Sequence, residues 1–145
     1  MKVKVKTVDV VNGNDVMQRI ALGITDVPTR YTVLLNDKAI QPVVETYNTV
    51  RQSLIEKYAD KTEDGQTKTN EAGLVVWREG EEDALKAELD ELNKVENELS
   101  IKLIPIEKFA SVINYDKVDP ALVDVIGGDK VLTFAAINQI AWILE

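Results

Sequence analysis

Residues 29–58 read TRYTVLLNDKAIQPVVETYNTVRQSLIEKY, and the spacing of their apolar positions decides the fold class. From Tyr31, Leu34 and Leu35 through Ile40, Val43, Val44 and Tyr47 to Val50, Leu54, Ile55 and Tyr58, apolar residues recur mostly three or four apart, the period of an amphipathic helix. Pro42 lacks an N–H for the helical ladder, so a kink or a division into two helices is expected near Lys38 to Pro42. The part from Gln41 to Tyr58 alone would extend about 27 Å at about 1.5 Å per residue.

A second helical pattern follows, with Leu85, Leu89, Leu92, Val95 or Glu96, and Leu99 on one face. Glu82 with Lys86 and Asp90 with Lys94 stand in the favourable i, i+4 order for ion pairs. This helix is expected to lie antiparallel to Gln41–Tyr58. Between the two, Gln66 to Thr69 and Leu74 to Trp77 flank the turn sequence Asn70-Glu71-Ala72-Gly73, which predicts a β-hairpin at the tip of a helical hairpin.

Outside the hairpin, Lys2 to Val11 begins as a strand: Val3, Val5 and Thr7 share one face, and Lys2, Lys4 and Lys6 the other. Asn12-Gly13-Asn14 is read as a turn, with a short helix from Val16 to Ile24 after it. Ser100 to Ile104 alternates up to Pro105 and is expected to pair with the N-terminal strand. Asp119-Pro120 marks a helix start, with Val118 and Val123 as a hydrophobic staple, and Gly127-Gly128 marks its end. Val131 to Leu144 is an apolar C-terminal helix whose face is expected in the core rather than in a second subunit. No internal repeat and no linker stands out. The reading is therefore one α+β domain over residues 1–145, mainly helical.

Composition narrows the chemistry. The 145 residues include no histidine and no cysteine. Ser-His and Cys-His nucleophile pairs, thiolate attack, disulfides and imidazole or thiolate metal sites are thereby excluded. Gly127-Gly128-Asp129-Lys130 lacks the frame of a phosphate loop, and Asp124 with Asp129 lacks the spacing of a calcium loop. No catalytic residue, metal site or cofactor is assigned.

There are 17 basic and 25 acidic residues, a net charge of −8, which argues against direct nucleic-acid binding. Between Glu79 and Glu98 nine carboxylates face only Lys86 and Lys94, so nearly the whole excess sits on the second hairpin helix. The simplest reading of that run is a solvated face. Its functional alternative is an acidic rod that occupies a basic groove on another protein. No run reaches the roughly 20 apolar residues of a membrane span, and the alternating Met1–Lys6 segment is unlike a signal peptide. Arg30, Tyr31, Trp77, Arg78, Phe134 and Trp142 are the candidate interaction residues, because arginine and aromatic side chains supply stacking, bidentate contacts and hot spots.

The order of elements resembles a group of short, functionally uncharacterised proteins encoded by tailed bacteriophages of Gram-positive bacteria. The residues that carry the resemblance are Leu54-Ile55-Glu56-Lys57-Tyr58, Glu63-Asp64-Gly65, the acidic helix with Leu85, Leu89 and Leu92, Ile104-Pro105-Ile106-Glu107-Lys108-Phe109, and Trp142-Ile143-Leu144-Glu145. The resemblance implies a phage context, in the host cytoplasm or the virion, and transfers no functional residue. Composition and resemblance together lead to the expectation of a non-enzymatic protein–protein interaction protein, a homo-oligomer or the binder of a protein partner, serving as a virion or assembly component. The alternative is an inhibitor of host antiviral defence, acting on an effector protein through the acidic helix or sequestering a nucleotide ligand.

Overall fold

Asp26 starts the longest element. Its carboxylate accepts the Thr29 N–H at 2.9 Å and the Thr29 hydroxyl, and Pro28 lies in the first turn, where no N–H is needed. In the computed structural model, which describes all 145 residues, the chain runs β1 (Lys2–Lys6), α1 (Thr7–Ala21), α2 (Val27–Tyr58), α3 (Glu82–Lys94), β2 (Glu96–Ser100), α4 (Ile106–Ser111), β3 (Val123–Ile126), β4 (Asp129–Leu132) and α5 (Phe134–Ile140), with short 3-10 turns between and after them. The fold is α+β and mainly helical, with two small antiparallel sheets. No helix is long and apolar enough to cross a membrane.

The helix α2 is a single element of 32 residues, about 48 Å at about 1.5 Å per residue. Pro42 does not divide it. The hydrogen bond that Pro42 cannot make would reach the Lys38 carbonyl; both residues are exposed, so the gap falls on the solvent side.

The body is built from the chain before and after the helical hairpin. β1 and β2 pair antiparallel, Val3 opposite Leu99 and Val5 opposite Asn97, with Val5 and Leu99 facing inward. On the outer face Lys4 stands opposite Glu98 and Lys6 opposite Glu96, and Lys2 reaches Glu98 at 3.2 Å. These facing charges and the Val3–Leu99 pair place the strand at 96–100, not at Ser100 to Ile104, and α3 therefore ends at Lys94 instead of reaching Leu99.

The Asn12-Gly13-Asn14 turn does not form either. Helix α1 begins at Thr7, whose N–H and hydroxyl both donate to the Val95 carbonyl, and runs straight through Gly13. Gly13 is there to admit a neighbour: a Cβ would lie 2.8 Å from both the Gln139 carbonyl oxygen and the Trp142 Nε1. One contiguous core of nineteen residues then forms around Val10, Ile20, Phe109, Ile140 and Ile143.

Past Pro120 the structure also differs. Asp119 caps only a 3-10 turn, Pro120–Leu122, and Val123-Asp124-Val125-Ile126 pairs with Asp129–Leu132 across Gly127-Gly128. Both glycines have positive φ, +60° and +87°, as a two-residue hairpin turn requires, and the β-branched residues favour the strand. The apolar C-terminal segment is helical only over α5, capped by the Thr133 hydroxyl; Ile140 and Ile143 enter the core while Phe134 points out.

The arm is the helical hairpin itself. The second half of α2 lies antiparallel to α3, with Lys57 3.2 Å from Glu88 and Leu92 beside Pro42 and Thr46. Tyr58, then Lys57, holds the Glu88 carboxyl below its ordinary value, and Tyr58, then Glu88, raises the Lys57 ammonium. Neither Glu82–Lys86 nor Asp90–Lys94 closes into an ion pair.

At the tip the expected hairpin gains a third edge, and an internal repeat appears that the sequence hid. Asp60, Lys68 and Val76, eight residues apart, form a closed triangle of backbone bonds: Lys68 N–H to Asp60, Val76 N–H to Lys68, and Asp60 N–H to Val76. The corners repeat as well. Thr62 N–H donates to the Gln66 carbonyl, Asn70 N–H to the Leu74 carbonyl and Arg78 N–H to the Tyr58 carbonyl. Gly65 and Gly73 occupy equivalent left-handed positions at φ +78° and +77°, and the Thr62 and Asn70 side chains brace equivalent turns.

Candidate interaction surface

The first half of α2 is apolar on two sides. Thr29, Val33, Asn36 and Ile40 are buried, and Val33 and Ile40 belong to the core that α1 shares. On the other side Val27, Tyr31, Leu34 and Leu35, spaced i, i+4, i+7, i+8, stand 75%, 63%, 57% and 40% exposed. Tyr31, Leu34 and Leu35 therefore do not belong to the packed stripe that their spacing suggested. Helix α1 packs on the Val33 and Ile40 side and reaches this row only at Leu34, which rims a small cleft with Met17 and Ala21.

Asn36 shapes what lies next to this face. It is buried in the packed stripe, as Thr29 is, and its amide makes a two-point clasp: Nδ2 donates to the Lys102 carbonyl at 2.9 Å, and Oδ1 accepts the Lys102 N–H at 2.8 Å. The clasp holds the segment after β2 alongside α2 and leaves a shallow groove. Tyr31 and Thr32 form one wall; Lys102, Leu103 and Pro105 form the other.

Cations rim the apolar face. Arg30, Lys38 and Lys102 have no carboxylate within 4 Å, while Lys108 lies 3.7 Å from Asp26. The Asp26 carboxyl is held below its ordinary value, first by the Thr29 hydroxyl, then by the Thr29 N–H and by Lys108. Along this stretch Arg30, Lys38, Lys102 and Lys108 stand against Asp26 and Asp37, in a chain of net charge −8.

The six candidate interaction residues do not converge. Arg30 and Tyr31 lie on this face. Trp77 and Arg78 are at the far end of α2, where Trp77 is half-buried and bridged to Ala59, and the Arg78 guanidinium donates to the Lys57 carbonyl, capping the C-terminus of α2. Trp77 therefore needs no partner to cover it. Phe134 is 78% exposed on α5. Trp142 is half-buried against Gly13, donates from Nε1 to the Gln139 carbonyl at 3.1 Å, and rims a cleft with Lys4, Lys6, Asn12, Asn138 and Gln139.

No group of three or more carboxylates lies close enough together to hold a metal ion. What the α2 face can do is bury apolar area and receive negative charge. Sequence reasoning missed Asn36 and Lys102 and read Leu34 as core. The available signal was Asn36 itself, a polar residue three from Val33 and four from Ile40.

Comparison of the chain with protein-family models, curated proteins and solved structures gives no match.

Proposed function

We propose that the protein is a non-enzymatic protein–protein interaction protein of the tailed-phage type, which self-assembles as a virion or assembly component. The observation that carries this reading is the row Val27, Tyr31, Leu34 and Leu35, exposed together on one helix face. Isolated exposed apolar residues are ordinary, but a contiguous row rimmed by polar groups marks a surface that another molecule covers. The absence of histidine and cysteine supports the non-enzymatic part.

Native mass spectrometry on gently purified protein tests it. Oligomers that grow with concentration in the native chain and vanish in Tyr31→Glu are the expected result. A monomer at every concentration would remove self-assembly, and metal-dependent turnover of a substrate panel would remove the non-enzymatic reading.

Inhibition of a host defence effector is the second reading, favoured by the exposed carboxylates Glu82, Asp83, Asp90 and Glu91 of α3, none of them in an ion pair. A salt-sensitive complex with a basic host protein, formed without self-association, would select it. Sequestration of a nucleotide would use the cleft beside Trp142, and nucleotide-sized added mass in the same spectra would reveal it.

A further inference from the structure

We infer that the arm pivots as one piece on the body about a hinge built into both chain crossings, Pro42 in α2 and Val95 between α3 and β2, a device that does not depend on self-assembly.

Both crossings are weak at the same level. Ile40 is the last buried residue of α2 before Tyr58, and past it only Val43 and Val44 lean half-buried on the core. Just beyond Ile40, Pro42 leaves the Lys38 carbonyl without its ladder bond, and the proline ring crowds that same carbonyl. Helix kinks of more than about 20° are most often found at such a proline. On the return crossing a single residue, Val95, joins α3 to β2. At φ −58° and ψ 125° it has left the helical region, and its N–H reaches back to the Leu92 carbonyl at 3.3 Å. Its own carbonyl is fixed to the body, where it accepts the Thr7 N–H at 2.8 Å and the Thr7 hydroxyl at 3.0 Å. Rotation ahead of that carbonyl therefore moves α3 and leaves β2 in place.

Room and a driving force lie between the crossings. Pro42, Thr46 and Tyr47 line a crevice of about 300 Å³ with Leu92, Val95 and Thr7. Asn93 stands four residues after Leu89 and eight after Leu85, on the packed side of α3, and its Oδ1 is buried with no hydrogen-bond partner. An acceptor left unpaired in this way favours any position of the arm in which water reaches it. The arm moves as a unit because the backbone triangle at the tip, the buried Leu85 and the Lys57–Glu88 pair hold α2 and α3 together. From Pro42 to Glu56 the lever is about 21 Å at about 1.5 Å per residue, so a swing of about 20° carries Glu56 about 7 Å.

Double electron–electron resonance tests the hinge, since the chain has no cysteine of its own and takes spin labels only where cysteines are placed. Three exposed sites serve: Glu56→Cys on the arm, and Asp9→Cys on α1 and Ser100→Cys on β2 in the body. Doubly labelled chain is diluted in unlabelled chain, so that only distances within one molecule are read. At least one distance from Glu56 to the body should be spread about twice as widely as the distance between Asp9 and Ser100. Pro42→Ala restores the ladder bond and Asn93→Leu removes the orphaned oxygen; each should narrow that spread by at least about a third and leave the body pair unchanged.

Distances from Glu56 that are both as narrow as the body pair overturn the hinge. So does a spread that survives Pro42→Ala or that Asn93→Leu leaves as it was, because the motion would then lie elsewhere than at these crossings.

Discussion

Of the twenty-seven buried residues, only Tyr58, Ala59 and Leu85 lie between residues 41 and 98, so the arm holds almost none of the core that the body packs. The body is an ordinary hydrophobic assembly: α1, α5, β1 and β2 close over Phe109, Ile20 and Ile140. The arm is organised by backbone closure at its tip, by the Leu85 contact, and by the Lys57–Glu88–Tyr58 cluster between its helices. Backbone triangles and exposed ion pairs hold a shape with little burial, so the two regions differ in how firmly they are held. The two tryptophans report on them separately, Trp142 on the body and Trp77 on the arm.

The contrast can be broken most severely from the body. Phe109→Ala removes a side chain that is 1% exposed and should cost about 3–5 kcal/mol. Chemical denaturation followed at Trp142, in a Trp77→Phe background, should show it as a large drop in midpoint. An effect of under about 1 kcal/mol would mean that the core is not the body's main support.

Asn36→Ala comes next, at about 2–3 kcal/mol, because the Lys102 N–H and carbonyl would both lose their partner. The same denaturation should show the loss, and the Lys102 amide should become faster in hydrogen exchange.

Gly73→Ala probes the arm alone. No atom lies within 4 Å of the added Cβ, but φ is +77°, so the cost of about 1–2 kcal/mol is conformational. Hydrogen exchange should accelerate at Val76 and Leu74 while Ile20 and Ile140 stay protected; a spread of the effect into α1 would merge the two regions into one cooperative unit.

The smallest effect is a pH dependence. The folded Glu88 carboxyl titrates below its unfolded value, so its contribution is present above the unfolded pKa and lost as pH falls through the folded one. Arm opening, read from Trp77 fluorescence in a Trp142→Phe background, should increase on acidification through that range. Glu88→Gln should lack that part of the acid dependence while leaving the body's profile alone.

Local signals were readable wherever the answer depended on neighbours in sequence. The spacing from Tyr31 to Tyr58 marked α2, Val3 and Val5 alternated with lysines in β1, and Asn70-Glu71-Ala72-Gly73 marked a turn. Gly13 was misread because its partner, Trp142, is at the far end of the chain, and a glycine that admits an indole looks like a glycine that makes a turn. The threefold tip was partly legible: Glu63, Glu71 and Glu79 recur every eight residues beside glycines. It escaped notice because the triangle is made by backbone groups, which leaves Asp60, Lys68 and Val76 free to differ. Asp119-Pro120 is a start signal for a 3-10 turn as much as for an α-helix, and the β-branched residues after it should have outweighed it.

By itself, the sequence determined the chemistry that is impossible without imidazole or thiol, the place of the negative charge, and the amphipathic helices, since each follows from residue identity and spacing along the chain. Only the tertiary structure decided which apolar side of α2 faces the core. Both sides repeat at helical spacing, and burial depends on which neighbour arrives: α1 covers Val33 and Ile40, and Val27, Tyr31 and Leu34 stay exposed.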